Sequence, residues 1–248
     1  MQRLLEKKVA VVTGGCRGIG ESIALRFAEH GAAVVIADID LSQAPAVVRK
    51  IQAHGVPGEA VKLDISDITD IRARCNDIAR RHGRIDIWVN NAGISENVPI
   101  EDLEGEQWDR IMRVDLRGTF FCSQAAYRVM KAQKGGKIIN IASLAGERGG
   151  RFAGAHYSAA KAGVIVITKC FALSGGEHHI TANAIAPGLI RTRMAEELGF
   201  LAGDHADIPL GRLGAPGDVA DAALYLASGL SDYVTGMTVD VNGGVFMR

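Results

Sequence analysis

Short runs of β-branched and aliphatic residues recur along the chain, separated by longer stretches whose apolar positions return with helical period. The runs fall at 8–13 (KVAVVT), 32–38 (AAVVIAD), 59–64 (EAVKLD), 85–90 (IDIWVN), 136–143 (GKIINIAS), 180–187 (ITANAIAP) and 237–243 (MTVDVNG). Most lack polar alternation, as strands do when helices cover both faces of a parallel sheet. Helical patterns occupy 18–30, 42–54, 67–82, 106–133, 152–174 and 216–229. This rhythm predicts βαβ units in one α/β domain over 1–248, a doubly wound parallel sheet of seven strands flanked by helices on both faces. One segment, 188–215, falls outside the rhythm. It follows a predicted strand, at the sheet edge where doubly wound folds bind ligands, and reads as a substrate-binding loop or lid.

Composition narrows the class. Of 248 residues, 48% are hydrophobic and 23% charged, enough for a sizeable core. Lys and Arg number 28, as do Asp and Glu, so nothing favours nucleic acid or an anionic membrane as partner. No apolar run approaches the length needed to span a bilayer, and the charged N-terminus MQRLLEKKVAVV does not read as a secretion signal. A cytoplasmic location is the expectation. Cys16, Cys75, Cys122 and Cys170 are scattered without metal-ligand spacing, so reduced thiols and no metal site are expected.

Candidate chemistry lies at two places. TGGCRGIG (13–20) follows the first strand and opens the first helix, with Gly14, Gly18 and Gly20 allowing a tight turn against a pyrophosphate. Asp38 ends the second strand, where a carboxylate can accept from both ribose hydroxyls and repel a 2′-phosphate. Arg17, in the phosphate loop, argues the other way. Asp38 sits where the ribose hydroxyls lie, which favours NAD, with NADP the alternative. In HYSAAKAG (156–163), Tyr157 and Lys161 leave the same helix face, so that the ammonium can favour a phenolate. The same spacing also suits an ordinary solvated helix face.

Taken together, TGGCRGIG, Asp64, NNAG (90–93), Ser143, YSAAK (157–161), PG followed by Thr192, and GRLGAPGDVA…YVTGMTVDVNGG (211–244) resemble the short-chain dehydrogenase/reductase family over nearly the whole chain. The resemblance implies a Rossmann-type fold and a homotetramer. It implies Tyr157 as general acid/base, Lys161 as the group lowering its pKa and binding the nicotinamide ribose, and Ser143 as the hydroxyl orienting the substrate oxygen. For the cofactor it implies Ile19 in the glycine turn, Asp64 and Ile65 on the adenine side, Asn91, Ala92 and Gly93 along the adenosine, and Pro187, Gly188, Ile190 and Thr192 near the carboxamide. One departure is Asp115, where the family carries asparagine. The resemblance gives that position a helix irregularity and a main-chain carbonyl in the proton relay.

The substrate side holds Ser95, Glu96, Glu147, Arg148, Arg151 and His156, which suits a polar, hydroxyl-rich small molecule such as a polyol, sugar or small hydroxy compound. A 3-oxoacyl-[acyl-carrier-protein] reductase is the alternative. Arg128, Lys131 and Lys134 suit an acidic carrier, but Leu173 and Ser174 stand where those reductases often show arginine and glutamate. A non-enzymatic NAD sensor is the reading from another class; it fits poorly with a retained Ser143, Tyr157 and Lys161. Gly175 and Gly176 predict an early end to the helix that carries the pair.

Overall fold

The computed structural model describes residues 3–150, 153–199 and 206–247. Seven parallel strands, β1 (Val9–Thr13), β2 (Ala33–Asp38), β3 (Gly58–Lys62), β4 (Ile87–Asn90), β5 (Gly136–Ile141), β6 (Ile180–Pro187) and β7 (Thr238–Val241), lie in the order β3-β2-β1-β4-β5-β6-β7. The order reverses between β1 and β4, which opens a crevice at the carboxyl ends of those strands.

Helices cover both faces. Ala10, Val12, Val34 and Ile36 pack on one side with α1 (Gly18–Glu29), α2 (Ala44–Gln52) and α9 (Pro216–Ala227). Val11, Val35, Ala37 and Trp88 pack on the other with α3 (Ile68–His82), α5 (Thr119–Gln133) and α7 (Ala155–Gly175). Successive strand residues thus serve opposite cores, which is why the runs read as continuously apolar. Each fully buried large side chain, Phe27 or Trp88 for instance, contributes on the order of 2 kcal/mol by leaving water.

The stretch 106–133 is not the single regular helix its pattern predicts. α4 (Gly105–Ile111) runs into a π-helical turn, Met112–Gly118, before α5 begins. The widened turn carries Asp115 inward to full burial, and Gly118 lies against the Ile65 carbonyl, where a Cβ would come within 2.7 Å. Two five-residue helices also escaped the periodicity. α6 (Leu144–Arg148) and α8 (Arg193–Glu197) are capped by Ser143 and Thr192, whose side chains accept from Ala145 N and Ala195 N. A further correction concerns hydropathy. The stretch Ala155–His178, which includes α7, is long and apolar enough to cross a membrane by length and composition. It instead packs along β5 and β6 as a core helix; its α-helical part ends at Gly175, and a 3-10 turn, Gly176–His178, continues it.

A buried polar chain fixes α7 to the sheet. Trp88 Nε1 donates to Asn90 Oδ1 at 2.8 Å, and Asn90 Nδ2 donates to Ser123 Oγ at 2.8 Å and to Asn140 Oδ1 at 2.7 Å. Asn140 Nδ2 in turn donates to Thr168 Oγ1 on α7 at 2.8 Å. Such a network strengthens itself in low dielectric and is costly to interrupt.

Candidate active site

The turn between β1 and α1 is built by backbone. Gly14 and Gly18 take left-handed φ of 62° and 58°. A Cβ on Gly20 would stand 2.1 Å from the Gly14 carbonyl oxygen, so only glycine lets α1 start this close to the strand. No side chain caps α1, which leaves the amides of its first turn facing the crevice. This cradle, open on the side of Thr192, fits the pyrophosphate of a dinucleotide. Thr13 was not singled out from the sequence, yet it ties the turn to β4. Its hydroxyl donates to the Val89 carbonyl at 3.3 Å and accepts from Asn91 N at 3.0 Å and Ala92 N at 3.1 Å. The Asn91 side chain donates to the carbonyls of Thr13 and Gly14, at 3.0 and 3.1 Å, pinning the turn itself.

Asp38 is 8% exposed at the end of β2, and its carboxylate accepts from Cys16 N at 3.2 Å and Asp40 N at 3.1 Å. Its place is therefore fixed before any ribose arrives. Arg17 is exposed on the turn nearby and Ile19 lies behind it in the first helical turn. Burial first, then the Asp38 charge, push the Cys16 thiol up to about 12, which makes it an inert filler. Asp64 accepts from Ser66 N at 2.8 Å, and Ile65 is buried beside Gly118. At the far side of the crevice Gly188 N donates to Val241 O at 2.9 Å, just past Pro187 at the end of β6, and Ile190 forms a parallel bridge with Gly214.

The charged groups converge at the carboxyl end of β5. Lys161 is only 4% exposed; its Nζ donates to the Ile141 carbonyl at 3.2 Å and forms an ion pair with Asp115 Oδ2 at 3.2 Å. The same Nζ lies 5.5 Å from the centre of the Tyr157 ring. The Ser143 side chain acts on the Tyr157 hydroxyl, favouring its ionised form. Asp115 Oδ1 accepts from Ile94 N at 2.9 Å. The carboxylate of Asp115 thus makes contacts of its own, beside the role expected of its main-chain carbonyl. His156 is fully buried, with Nε2 at 3.4 Å from Glu96 Oε1, and Arg110 reaches the other oxygen of Glu96 at 3.5 Å. Arg151, assigned to the substrate side from sequence, lies outside the described residues, as do 200–205 of the expected lid.

Lys161 acts on the Tyr157 phenol in the expected direction, but burial acts against it more strongly. Burial pushes the Tyr157 phenol above its ordinary value; Lys161 pulls it down, Asp115 pushes it up, and the Ser143 hydrogen bond lowers it. The net direction is upward, because burial outweighs the pull of Lys161 and the Asp115 carboxylate adds to the upward push. Among the described residues no three His, Cys, Asp or Glu side chains gather as a metal cluster.

A doubly wound sheet with a glycine-lined turn at the reversal of strand order defines a dinucleotide-binding α/β protein. A family model described as Enoyl-(Acyl carrier protein) reductase matches residues 14–246. The chain is 38% identical over 245 residues to the 3-oxoacyl-[acyl-carrier-protein] reductase FabG of Thermotoga maritima, covering 97% of this chain and 98% of that protein. It is 41% identical over 246 residues to the (2S)-[(R)-hydroxy(phenyl)methyl]succinyl-CoA dehydrogenase subunit BbsD of Thauera aromatica, covering 97% of each. The crystal structure of a short-chain type dehydrogenase/reductase from Mycobacterium marinum superimposes with a TM-score of 0.93 at 35% identity, over 98% of this chain and 97% of that one. The protein belongs to the short-chain dehydrogenase/reductase family and is an oxidoreductase of that family.

Proposed function

We propose that the protein is an NAD-dependent dehydrogenase of secondary alcohols, with Tyr157 as general acid/base and a small polar hydroxy compound as substrate. The observation that carries the reading is the meeting of Tyr157, Ser143 and Lys161 at the end of β5, beside the glycine turn. A bound nicotinamide supplies the hydride acceptor, or the donor in reduction. In oxidation the Tyr157 phenolate takes the hydroxyl proton as the carbinol hydride leaves. In reduction the phenol returns that proton to the carbonyl oxygen. Ser143 holds the reacting oxygen through a hydrogen bond, and Lys161 stabilises the phenolate. Asn91, Ala92, Gly93 and Thr192 line the cofactor path, with the 188–215 segment closing over the substrate.

Asp38 favours NAD, since its fixed carboxylate would face a 2′-phosphate at close range. Glu96, His156 and Ser95 on the substrate side support a hydroxyl-rich ligand. A second reading, reduction of 3-oxoacyl thioesters, draws support from the name of the Thermotoga relative. Against carrier-protein docking stands Leu173, 86% exposed on α7 where a cation would be needed. A homotetramer in the cytoplasm completes the reading, with α5 and α7 pairing between subunits. Exposed Val166 and Leu173 on α7 support that pairing.

The test is a panel of polyols, sugars, hydroxy acids and 3-oxoacyl thioesters, each assayed with both nicotinamide cofactors. Turnover of a polyol or hydroxy compound with NAD is the expected result. Turnover confined to acyl thioesters would replace the substrate assignment, and turnover of none would sink the enzyme reading.

A further inference from the structure

We infer that the Asp115 carboxylate is a built-in counter-ion for Lys161, a positioning residue that sets the pH range over which Tyr157 exchanges its proton. The inference rests on the reading of Tyr157 as acid/base and adds a residue that acts on it through Lys161.

The geometry is specific. Asp115 is 0% exposed, carried inward by the π turn, and each of its oxygens has a separate neighbour. Oδ1 accepts from Ile94 N at 2.9 Å, and Oδ2 stands 3.2 Å from Lys161 Nζ. Gly93 leaves room for this pair. A Cβ there would come within 2.9 Å of Oδ2 and 3.3 Å of Nζ, so a side chain at that position would push the ions apart. The contact to Ile94 does not require charge, because an amide oxygen would accept as well. The contact to Lys161 does. A carboxylate is retained at full burial only when a partner offsets its desolvation, and here the partner is the ammonium that also serves Tyr157.

The charged and titratable groups around Asp115 come from four elements. α7 contributes His156, Tyr157 and Lys161; the stretch after β4 contributes Glu96; α4 contributes Arg110, which binds Glu96; and Ser143 closes β5. His156 acts on Asp115 at longer range than Lys161 does, and its Nδ1 has no hydrogen-bond partner. Burial raises the Asp115 carboxyl above its usual range, with Lys161 opposing. Burial works against the Lys161 charge, yet Asp115 and Tyr157 more than offset it, and the ammonium is held above its ordinary value. Lys161 thus divides its field between a phenol and a carboxylate. The carboxylate keeps the lysine charged but weakens its pull on the phenol, so the site works at higher pH than the same site with a neutral residue at 115.

Asp115→Asn removes the charge and keeps the acceptor for Ile94. In NMR titrations of ring-carbon-labelled tyrosine, with the Tyr157 signal assigned by its loss in Tyr157→Phe, the Tyr157 midpoint should fall by about one unit in Asp115→Asn. The rising limb of kcat/KM for alcohol oxidation should move down in pH by the same amount. An unchanged Tyr157 midpoint in a folded Asp115→Asn protein would overturn the inference and leave Asp115 a backbone acceptor only. If Asp115→Asn does not fold, carboxyl-labelled aspartate in the parent and in Lys161→Met gives the second reading. Loss of the ammonium should raise the Asp115 midpoint by more than about one unit, and no change overturns the counter-ion. Neither titration needs turnover, so a silent substrate panel would sink the proposed activity and leave this result standing.

Discussion

The two walls of the crevice are built differently. One wall, from β4, β5, the π turn and α7, holds Asn90, Asn140, Thr168, Asp115 and Lys161 buried, each with a named partner. The other, described over 188–199 and 206–215, is held by backbone bonds and surface contacts. Ile190 bridges to Gly214, Ile208 is buried, and Arg212 meets Asp218 at the start of α9. Under the proposed function the difference follows from the tasks. Proton and hydride transfer need groups fixed to a few tenths of an ångström, which burial and paired hydrogen bonds provide. Choice of substrate needs only a surface that fits, and short surface connections suffice for that.

The sharpest way to break the contrast is Tyr157→Phe. With the proton donor gone and the ring retained, turnover should fall at least about a hundredfold. NADH binding, read by fluorescence, should stay near that of the parent. A residual rate above about one hundredth would move the acid/base elsewhere.

Next in size is Asn140→Ala. It takes one of two partners from each of the buried Asn90 Nδ2 and Thr168 Oγ1, leaving Ser123 and the Val164 carbonyl, and should cost about 2 kcal/mol in urea unfolding. A comparable loss from substitutions in 188–215 would erase the distinction between the walls.

Much of the rigid wall was readable in advance. The continuous apolar runs announced strands buried on both faces, and the glycines at 14, 18 and 20 announced a turn that the backbone geometry bears out. What stayed hidden depends on distant partners. Thr13 reads as the last residue of a strand, and only the packing of β1 on β4 brings Asn91 and Ala92 to its hydroxyl. The resemblance marks an irregularity at Asp115, but the apolar pattern of 106–133 does not show it, because a π turn leaves no trace in a 3.6-residue period. α6 and α8 are each five residues long, too short for periodicity to show, though Ser143 and Thr192 as caps were visible signals.

Cofactor choice sits on neither wall, and Asp38→Asn isolates it. The amide keeps an acceptor for Cys16 N or Asp40 N while removing the charge. The ratio of kcat/KM for NAD over NADP should drop about tenfold, the effect of losing on the order of 1.4 kcal/mol of repulsion. An unmoved ratio would place the choice with Arg17.

The smallest effect belongs to the second wall. Arg212 Nη1 and Nη2 reach the two oxygens of Asp218 at 2.7 and 3.0 Å, and Ala215 N donates to the same carboxylate at 2.7 Å. These bonds lower the Asp218 carboxyl to about 2, the Arg212 hydrogen bond being the largest cause. A depressed folded value means that the stabilisation is present above the unfolded carboxylate pKa and fades as pH falls through the folded one. The pair is open to solvent, with side chains 56% and 33% exposed, so screening leaves less than about 1 kcal/mol of it. Asp218→Asn should therefore lower the urea midpoint slightly at neutral pH, and the deficit should shrink below about pH 4 and at high salt. A deficit that ignores both pH and salt would mean that Asp218 acts as an uncharged cap for α9, and that the second wall is held by helix capping instead of charge.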